Sequence, residues 1–203
     1  DLGGTKTEGI VMDANGQILV RERRPTPQAD GYDAILATIR DLVLELERRA
    51  GARCTVGIGT PGALSTATGC LKNSNTVCLN GRPVKQDLER LLGREVRIAN
   101  DANCFALSEA IDGAGVGAQV VFGVILGTGV GGGIVVRGHV LDGVNAIAGE
   151  WGHNPLPFFQ FRHAQIDHEE TGTHPATGER IVHPWPSERE FHGPQCYCGK
   201  KGC

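Results

Sequence analysis

Two turns rich in glycine and threonine, each beside stretches that resemble β-strands, constrain the fold of this chain more than any other feature. The first turn is Gly3-Gly4-Thr5, and the second spans residues 127–133, between strand-like residues 120–126 and 134–137. Glycine lets backbone N–H groups approach an anion without a Cβ in the way, and threonine adds a hydroxyl donor. We therefore predict a weak internal repeat in which each half offers one turn to the phosphates of a nucleotide. Two ordinary hairpins are the alternative.

The spacing of apolar residues predicts an α/β protein. Apolar positions three and four residues apart predict helices over residues 32–49 and 84–92, and short apolar runs predict strands over residues 55–59 and 96–99. A further helix is predicted to begin directly after the second of these strands and to run to residue 111.

A link rich in glycine and alanine over residues 112–117 predicts a domain boundary. We therefore predict an N-terminal domain over residues 1–112 and an incomplete C-terminal domain over residues 113–203. The second domain contains a long insert over residues 158–195, which holds five of the seven histidines and has no clear periodicity. We interpret this insert as a solvated loop, with a second metal site as the alternative.

Composition and charge limit the kinds of partner that the protein is expected to bind. The 203 residues are 40% hydrophobic and 21% charged, which is ordinary for a soluble globular protein, and the net charge of -3 with no basic run argues against nucleic acid as a partner. No stretch reaches the roughly 18 apolar residues that a membrane span needs. The first residues resemble no signal peptide, so we predict a cytoplasmic protein. We also expect a strand to begin before Asp1, and the chain to be a fragment.

Acidic side chains at strand ends are the candidate chemical groups. Asp1 stands just before the first turn, where a carboxylate can hold Mg²⁺ near a phosphate, although it can also simply cap the turn. Asn100-Asp101 lies where a strand meets a helix, and a helix N-cap is the strong alternative to a catalytic base at Asp101. Glu150 and His153 belong to a Glu-Trp-Gly-His string that can contact sugar hydroxyls, with His153 also able to bind a metal.

Three cysteines crowd the last eight residues, at positions 196, 198 and 203, with two glycines between them. Three thiolates so spaced can fill three corners of a zinc tetrahedron, and His153 is the natural fourth ligand. A site with four protein ligands is structural and not catalytic. Reduced free thiols or a disulfide are the alternatives.

Taken together, these motifs resemble those of the repressor/open-reading-frame/kinase (ROK) family. The longer strings over residues 100–113 and 148–157 resemble its bacterial fructokinase (manno-fructokinase) branch. Six motifs occur in the family's order. They are a first phosphate motif at residues 1–7, G-x-G-x-P-G at 57–62, the catalytic segment at 100–103, a second phosphate motif at 127–133, E-x-G-H at 150–153 and the zinc motif C-x-C-G-x-x-G-C at 196–203.

The resemblance implies an actin-like ATPase fold of duplicated ribonuclease-H-like domains around a cleft, ATP and Mg²⁺ in that cleft, structural Zn²⁺, and a homodimer. It implies that Asp101 is the catalytic base. The other implied site residues are, for the hexose, Asn100, Asp101, Glu150, His153 and Gly62, with Asn75 and Asn80 as weaker candidates; for ATP, Asp1, Gly3, Gly4, Thr5, Lys6, Gly127, Thr128, Gly129, Gly131 and Gly132; and for zinc, His153, Cys196, Cys198 and Cys203.

The predicted reaction is transfer of the γ-phosphate of ATP to the 6-hydroxyl of a hexose, with fructose as the predicted substrate. A glucose, mannose or N-acetylhexosamine kinase of the same family is the first alternative. A sugar-sensing ROK repressor is the second, although such repressors carry an N-terminal helix-turn-helix that is not visible here. A noncatalytic zinc module is the third, and it leaves both phosphate motifs unexplained. Two departures from the family are the long insert and the absence of a further C-terminal adenosine motif.

Overall fold

A computed structural model of the chain describes residues 1–127 and 129–152, together with two short strands at residues 172–173 and 180–181. The chain divides into two compact units, Asp1–Trp151 and Gly152–Cys203. Thr128, His153 and the three cysteines of the zinc motif lie outside the described residues, as does most of the predicted insert 158–195. The predicted boundary after residue 112 stays a prediction.

The first unit begins with an antiparallel hairpin. Strand β1 (Lys6–Met12) pairs with β2 (Ile18–Pro25), with a register shift between Val11 and Met12. Asp13 shapes the turn between the strands, because its Oδ1 accepts hydrogen bonds of 2.9 Å from the backbone N–H groups of Asn15 and Gln17.

Helix α1 (Tyr32–Ala50) supplies much of the core, as its apolar spacing predicts. Its buried side chains lie on one face, and some of them form the main core cluster with Leu2, Leu71 and Leu79. The helix ends at Gly51, which has the left-handed conformation that favours glycine.

A parallel strand pair defines the edge that carries the candidate site. Strand β3 (Val56–Thr60) pairs in parallel with β6 (Val96–Asn100), so that Thr60 lies opposite Asn100. The chain between these strands forms a short antiparallel pair, β4 (Ala63–Leu64) and β5 (Leu71–Lys72), and then α2 (Val84–Leu92). Because parallel strands end at the same edge, the residues that follow β3 and β6 lie side by side.

Leu2 connects the hairpin to this parallel pair. Its backbone N–H donates to the Gly59 carbonyl at 2.8 Å, and it forms a β-bridge with Thr7. A cavity of about 260 Å³ lies between β1 and β3. Asp1 and Leu2 therefore bring the first glycine turn to the edge where β3 and β6 end.

The second half of the unit is a helix packed on a three-stranded sheet. Helix α3 (Asp101–Ile111) follows β6 without a gap and packs against the antiparallel strands β7 (Val120–Leu126) and β8 (Val130–Val136), with β9 (His139–Val140) beside β8. The predicted strand over residues 134–137 is wrong in its start, because the observed strand begins at Val130.

Close packing explains two of the three glycines in β8. A Cβ on Gly133 would stand 2.6 Å from the Ala102 carbonyl oxygen of α3, and a Cβ on Gly132 would stand 2.7 Å from the Gly149 carbonyl oxygen. These positions accept only glycine, since the neighbouring backbone occupies the space of a side chain.

The second unit is described only in part. Strands β10 (Gly172–Thr173) and β11 (Arg180–Ile181) form a short antiparallel pair. In the part of the chain that the structure describes, no helix combines the length and the apolar character needed to cross a membrane.

Candidate active site

Asn100 joins two of the predicted motifs. It is the N-cap of α3, where its Oδ1 accepts a hydrogen bond of 2.9 Å from the Asn103 N–H, and its Nδ2 donates to the Gly62 carbonyl at 2.9 Å. Gly62 has a φ of +82°, and a Cβ there would collide with the Lys72 carbonyl oxygen, so only glycine fits this turn. Asn100 thereby holds the turn after β3 against the start of α3.

Asp101 is the first residue of α3 and is partly exposed. Its Oδ1 accepts a hydrogen bond of 2.8 Å from the Ala102 N–H, and no described residue donates a hydrogen bond to its Oδ2. The N-cap of α3 is therefore Asn100 and not Asp101. Among the described residues, one oxygen of the Asp101 carboxylate has no hydrogen-bond donor and can contact a ligand.

Glu150 lies beside the first turn of α3. A Cβ on Gly131 would stand 3.5 Å from the Ala102 Cβ and 3.6 Å from the Glu150 Oε1. Burial raises the pKa of Glu150 above its ordinary value, the negative charge of Asp101 raises it further, and a hydrogen bond from the Gly132 N–H opposes both. The two carboxylates therefore lie close enough to interact, and the ionisation of Glu150 is disfavoured.

This raised pKa predicts a pH-dependent effect of Glu150→Gln on stability. The folded state holds the proton of Glu150 more tightly than the unfolded chain does, so wild-type stability falls as pH rises from about 4.3, the ordinary pKa of glutamate, through the raised value. Glutamine avoids this loss and can still accept the Gly132 hydrogen bond. We expect the variant to melt at a higher temperature than wild type at pH 7 to 8 but not at pH 4, in thermal unfolding followed by circular dichroism. An equal difference at every pH would contradict the charge assignment.

Asp1 reaches the same edge from the first turn. The position of a Cβ on Gly59 would lie 4.0 Å from the Asp1 Oδ1 and 3.8 Å from the Asp101 Cα. No group of three or more potential metal-binding side chains occurs among the described residues. The Asp1 carboxylate at this edge suits Mg²⁺, which is commonly held by one or two carboxylates together with substrate phosphates.

The first glycine turn presents free backbone donors. Within the described residues, no acceptor takes a hydrogen bond from the N–H of Gly4 or Thr5, whereas the Gly3 N–H donates to the Lys6 carbonyl at 2.9 Å. Three polar side chains surround Gly4, because its Cβ would lie 3.0 Å from Gln28 Nε2 and 3.9 Å from both Asn75 Oδ1 and Thr76 Oγ1. This arrangement suits an anion, as the glycine and threonine pattern predicts.

The two asparagines proposed as weaker sugar contacts differ in what they do. Asn80 Oδ1 accepts from the Ser74 N–H at 2.8 Å, and its Nδ2 donates to the Ser74 carbonyl at 2.9 Å. Its amide is thus used to hold the loop that carries Asn75. Of the pair, only Asn75 is placed beside the first turn.

The second turn is shorter than its sequence predicts. Gly127 donates through its N–H to the Gly129 carbonyl at 2.9 Å, and a Cβ on Gly129 would meet no atom within 4 Å. Gly131 lies within β8, where its carbonyl accepts a hydrogen bond of 3.0 Å from Trp151 Nε1. Gly131 and Gly132 thus form the wall behind Glu150 and Trp151, and their contact with ATP stays a prediction.

Sequence reasoning missed several contacts that shape this edge. Thr26 and Gln28, which follow β2, hydrogen-bond to the first turn. Lys72 Nζ donates to the Asn145 carbonyl at 2.8 Å, which ties β5 to the loop before Glu150. No sequence signal marks these residues, because each acts on a partner more than 20 positions away.

Known protein families and proteins resemble this chain in sequence. A family model described as ROK family matches residues 1–203. A protein named N-acetyl-D-glucosamine kinase from Yersinia enterocolitica is 48% identical over 77% of this chain and 52% of its own length. The chain therefore spans about half the length of the curated relatives it matches. Because several such relatives carry this name, the predicted fructokinase branch is not supported.

Solved structures agree on the fold. The ROK hexokinase from Thermus thermophilus superposes with a TM-score of 0.69 at 31% sequence identity. The superposition covers 100% of this chain and 56% of the hexokinase chain. A ROK glucokinase from Streptomyces griseus, solved with glucose and AMPPNP, has the same TM-score and identity over 76% of this chain and 49% of its own. The actin-like α/β class is thereby supported, while the duplication of ribonuclease-H-like domains stays a prediction. Because the ROK family model matches its whole length, the chain belongs to the ROK family.

Proposed function

We propose that the protein is an ATP-dependent kinase that phosphorylates the 6-hydroxyl of an N-acetylhexosamine, with N-acetyl-D-glucosamine as its substrate. One observation carries the proposal: Asp101 offers a carboxylate oxygen without a donor among the described residues at the start of α3, beside Glu150 and next to the edge reached by the first glycine turn. The names of the relatives at 46–48% identity support the choice of sugar. They favour the N-acetylhexosamine alternative over fructose.

In the proposed reaction, Asp101 accepts the proton of the sugar 6-hydroxyl. The hydroxyl oxygen forms a bond to the γ-phosphorus as the bond from that phosphorus to the bridging oxygen of ADP breaks. Because the transition state of phosphoryl transfer is loose, the base mainly orients the hydroxyl and takes its proton late. Asp101 suits this role, since its Oδ2 has no donor among the described residues.

The sugar is held by the groups around this oxygen. Glu150 accepts hydrogen bonds from sugar hydroxyls, and its partial burial removes competing water. Asn100 and Gly62 contribute mainly by fixing the turn after β3, because the Asn100 amide is already bonded to Gly62 and Asn103. His153 is proposed as a further sugar contact.

ATP and Mg²⁺ are assigned to the two turns. The N–H groups of Gly4 and Thr5, which have no acceptor among the described residues, fit phosphate oxygens, and Asp1 provides a carboxylate oxygen for Mg²⁺. When bound, Mg²⁺ neutralises charge on the phosphates. Zinc at His153, Cys196, Cys198 and Cys203 and a homodimer are retained as predictions.

A sugar panel tests the proposal. The full-length protein is assayed with Mg-ATP by coupled ADP release on N-acetyl-D-glucosamine, N-acetylmannosamine, glucose, mannose and fructose. We expect kcat/KM for N-acetyl-D-glucosamine to exceed that for fructose by about a hundredfold or more, because a site built to hydrogen-bond a substrate group discriminates strongly against sugars that lack it. A higher kcat/KM for fructose would restore the fructokinase prediction, and no turnover on any sugar would reject the kinase proposal.

A further inference from the structure

The segment that follows β2, residues 26–28, contacts the backbone of the first glycine turn at three successive carbonyls. Thr26 Oγ1 donates to the Gly3 carbonyl at 2.8 Å, Gln28 Nε2 donates to the Gly4 carbonyl, and the Thr26 N–H donates to the Thr5 carbonyl at 3.0 Å. A single three-residue segment therefore accounts for every carbonyl of the turn.

Peptide geometry converts these contacts into an orientation of the N–H groups. In a planar trans peptide, the C=O of one residue and the N–H of the next point in opposite directions. Because the carbonyls of Gly3, Gly4 and Thr5 are held toward residues 26–28, the N–H groups of Gly4, Thr5 and Lys6 point away from that segment. Neighbouring N–H groups that point to one side form an anion-binding nest.

Thr26 is held more firmly than Gln28. It is 8% exposed and also contacts Thr7, whose Oγ1 lies 2.8 Å from the Thr26 Oγ1. A hydroxyl has one proton, and the proton of Thr26 is used on Gly3, so Thr7 is the donor in this pair. The result is a short buried chain of hydrogen bonds from Thr7 through Thr26 to Gly3, in which each bond polarises the next.

We propose that Thr26 and Gln28 are positioning residues that set the first glycine turn for the phosphates of the nucleotide. They act through the turn and do not touch the nucleotide. The inference rests on the proposed function in one respect, because it takes a nucleotide as the ligand of the turn. It assigns a role to two residues outside all six motifs, and that role concerns the phosphate donor and not the sugar.

Nucleotide affinity in full-length Thr26→Val tests this role, with Thr26→Ser as the rescue variant. Valine keeps the shape of threonine and removes the donor to Gly3, whereas serine restores it. We expect Thr26→Val to weaken binding of a non-hydrolysable ATP analogue, by calorimetry, and to raise KM for ATP, each about tenfold, as for one lost hydrogen bond. Thr26→Ser should return to within about twofold of wild type.

Two further variants separate positioning from general damage. Gln28→Ala should give a smaller loss of about threefold, because Gln28 is exposed. Thr38→Val removes a hydroxyl that donates to the Ala34 carbonyl within α1, far along the chain from the turn, and should bind the analogue as wild type does. The dissociation constant for the sugar should be unchanged in Thr26→Val.

The outcomes distinguish this role from the proposed function. Wild-type affinity in Thr26→Val, or an equal loss of sugar and nucleotide affinity, would overturn the positioning role. A wild-type protein that binds the analogue but phosphorylates no sugar would reject the proposed function alone, since the affinity ratio of the variants still decides the role of Thr26. A wild-type protein without nucleotide affinity would overturn both.

Discussion

Replacing Asp101 with asparagine should lower kcat by about a thousandfold while sugar and nucleotide affinities change by less than about threefold. Asparagine has nearly the same shape and can still accept the hydrogen bond that the Asp101 Oδ1 takes from the Ala102 N–H. It cannot accept the proton of an alcohol at neutral pH. Steady-state rates with saturating sugar and Mg-ATP, together with calorimetric dissociation constants, separate the chemical step from binding.

Asp33→Asn provides the matched control for this variant. Asp33 lies in the first turn of α1, as Asp101 lies in the first turn of α3, so both substitutions remove one charge from a helix N-terminus. We expect Asp33→Asn to retain the wild-type kcat. Similar rates for Asp101→Asn and wild type would show that neither the charge nor the basicity of Asp101 is needed and that the base lies elsewhere.

Replacing Gly133 with alanine should destabilise the protein by about 2 kcal/mol, within the range for overpacked cores. The added Cβ would stand 2.6 Å from the Ala102 carbonyl oxygen and 2.9 Å from the Ala106 Cβ, so β8 and α3 must move apart. Because Ala102 follows Asp101, that movement displaces the carboxylate as well. Displacements near 1 Å at a reacting group cost roughly a hundredfold in rate, so kcat should fall by about that factor.

Gly57→Ala is the control for Gly133→Ala. Gly57 also lies in a strand, but a Cβ there would meet no atom within 4 Å, so alanine should leave stability equal or slightly higher. Urea unfolding monitored by fluorescence measures both variants. Equal stability of Gly133→Ala and wild type would contradict the close packing of α3 on β8.

Local patterns explain which parts of the fold can be predicted from the sequence. Helix Val84–Leu92 is predicted to the residue, because its apolar spacing is regular and Gly93 follows it in the left-handed conformation. The junction at Asn100-Asp101 is also predicted, since asparagine and aspartate mark helix starts. The sequence alone leaves open which of the two is the cap. The hydrogen bond from Asn103 decides it in favour of Asn100.

The errors arise where distant segments meet. Residues 131–133 resemble a turn, because a run of glycines usually marks one, yet they form part of β8. The reason is the proximity of α3 and Gly149, which lies in tertiary structure and leaves no local signal. Thr26 is similar, since its importance depends on a turn 20 or more residues earlier in the chain. Fructose was predicted from short strings, whereas the relative aligned over 77% of the chain is named for N-acetyl-D-glucosamine.

The distance between the sugar 6-hydroxyl oxygen and the nearer Asp101 carboxylate oxygen tests the central claim most directly. It is measured in a crystal structure of the full-length protein with N-acetyl-D-glucosamine and a non-hydrolysable ATP analogue. We expect a value of about 2.6–3.2 Å, the hydrogen-bond reach of a general base. A well-ordered sugar whose 6-hydroxyl lies out of hydrogen-bond reach of Asp101, directly or through one water, would contradict the account.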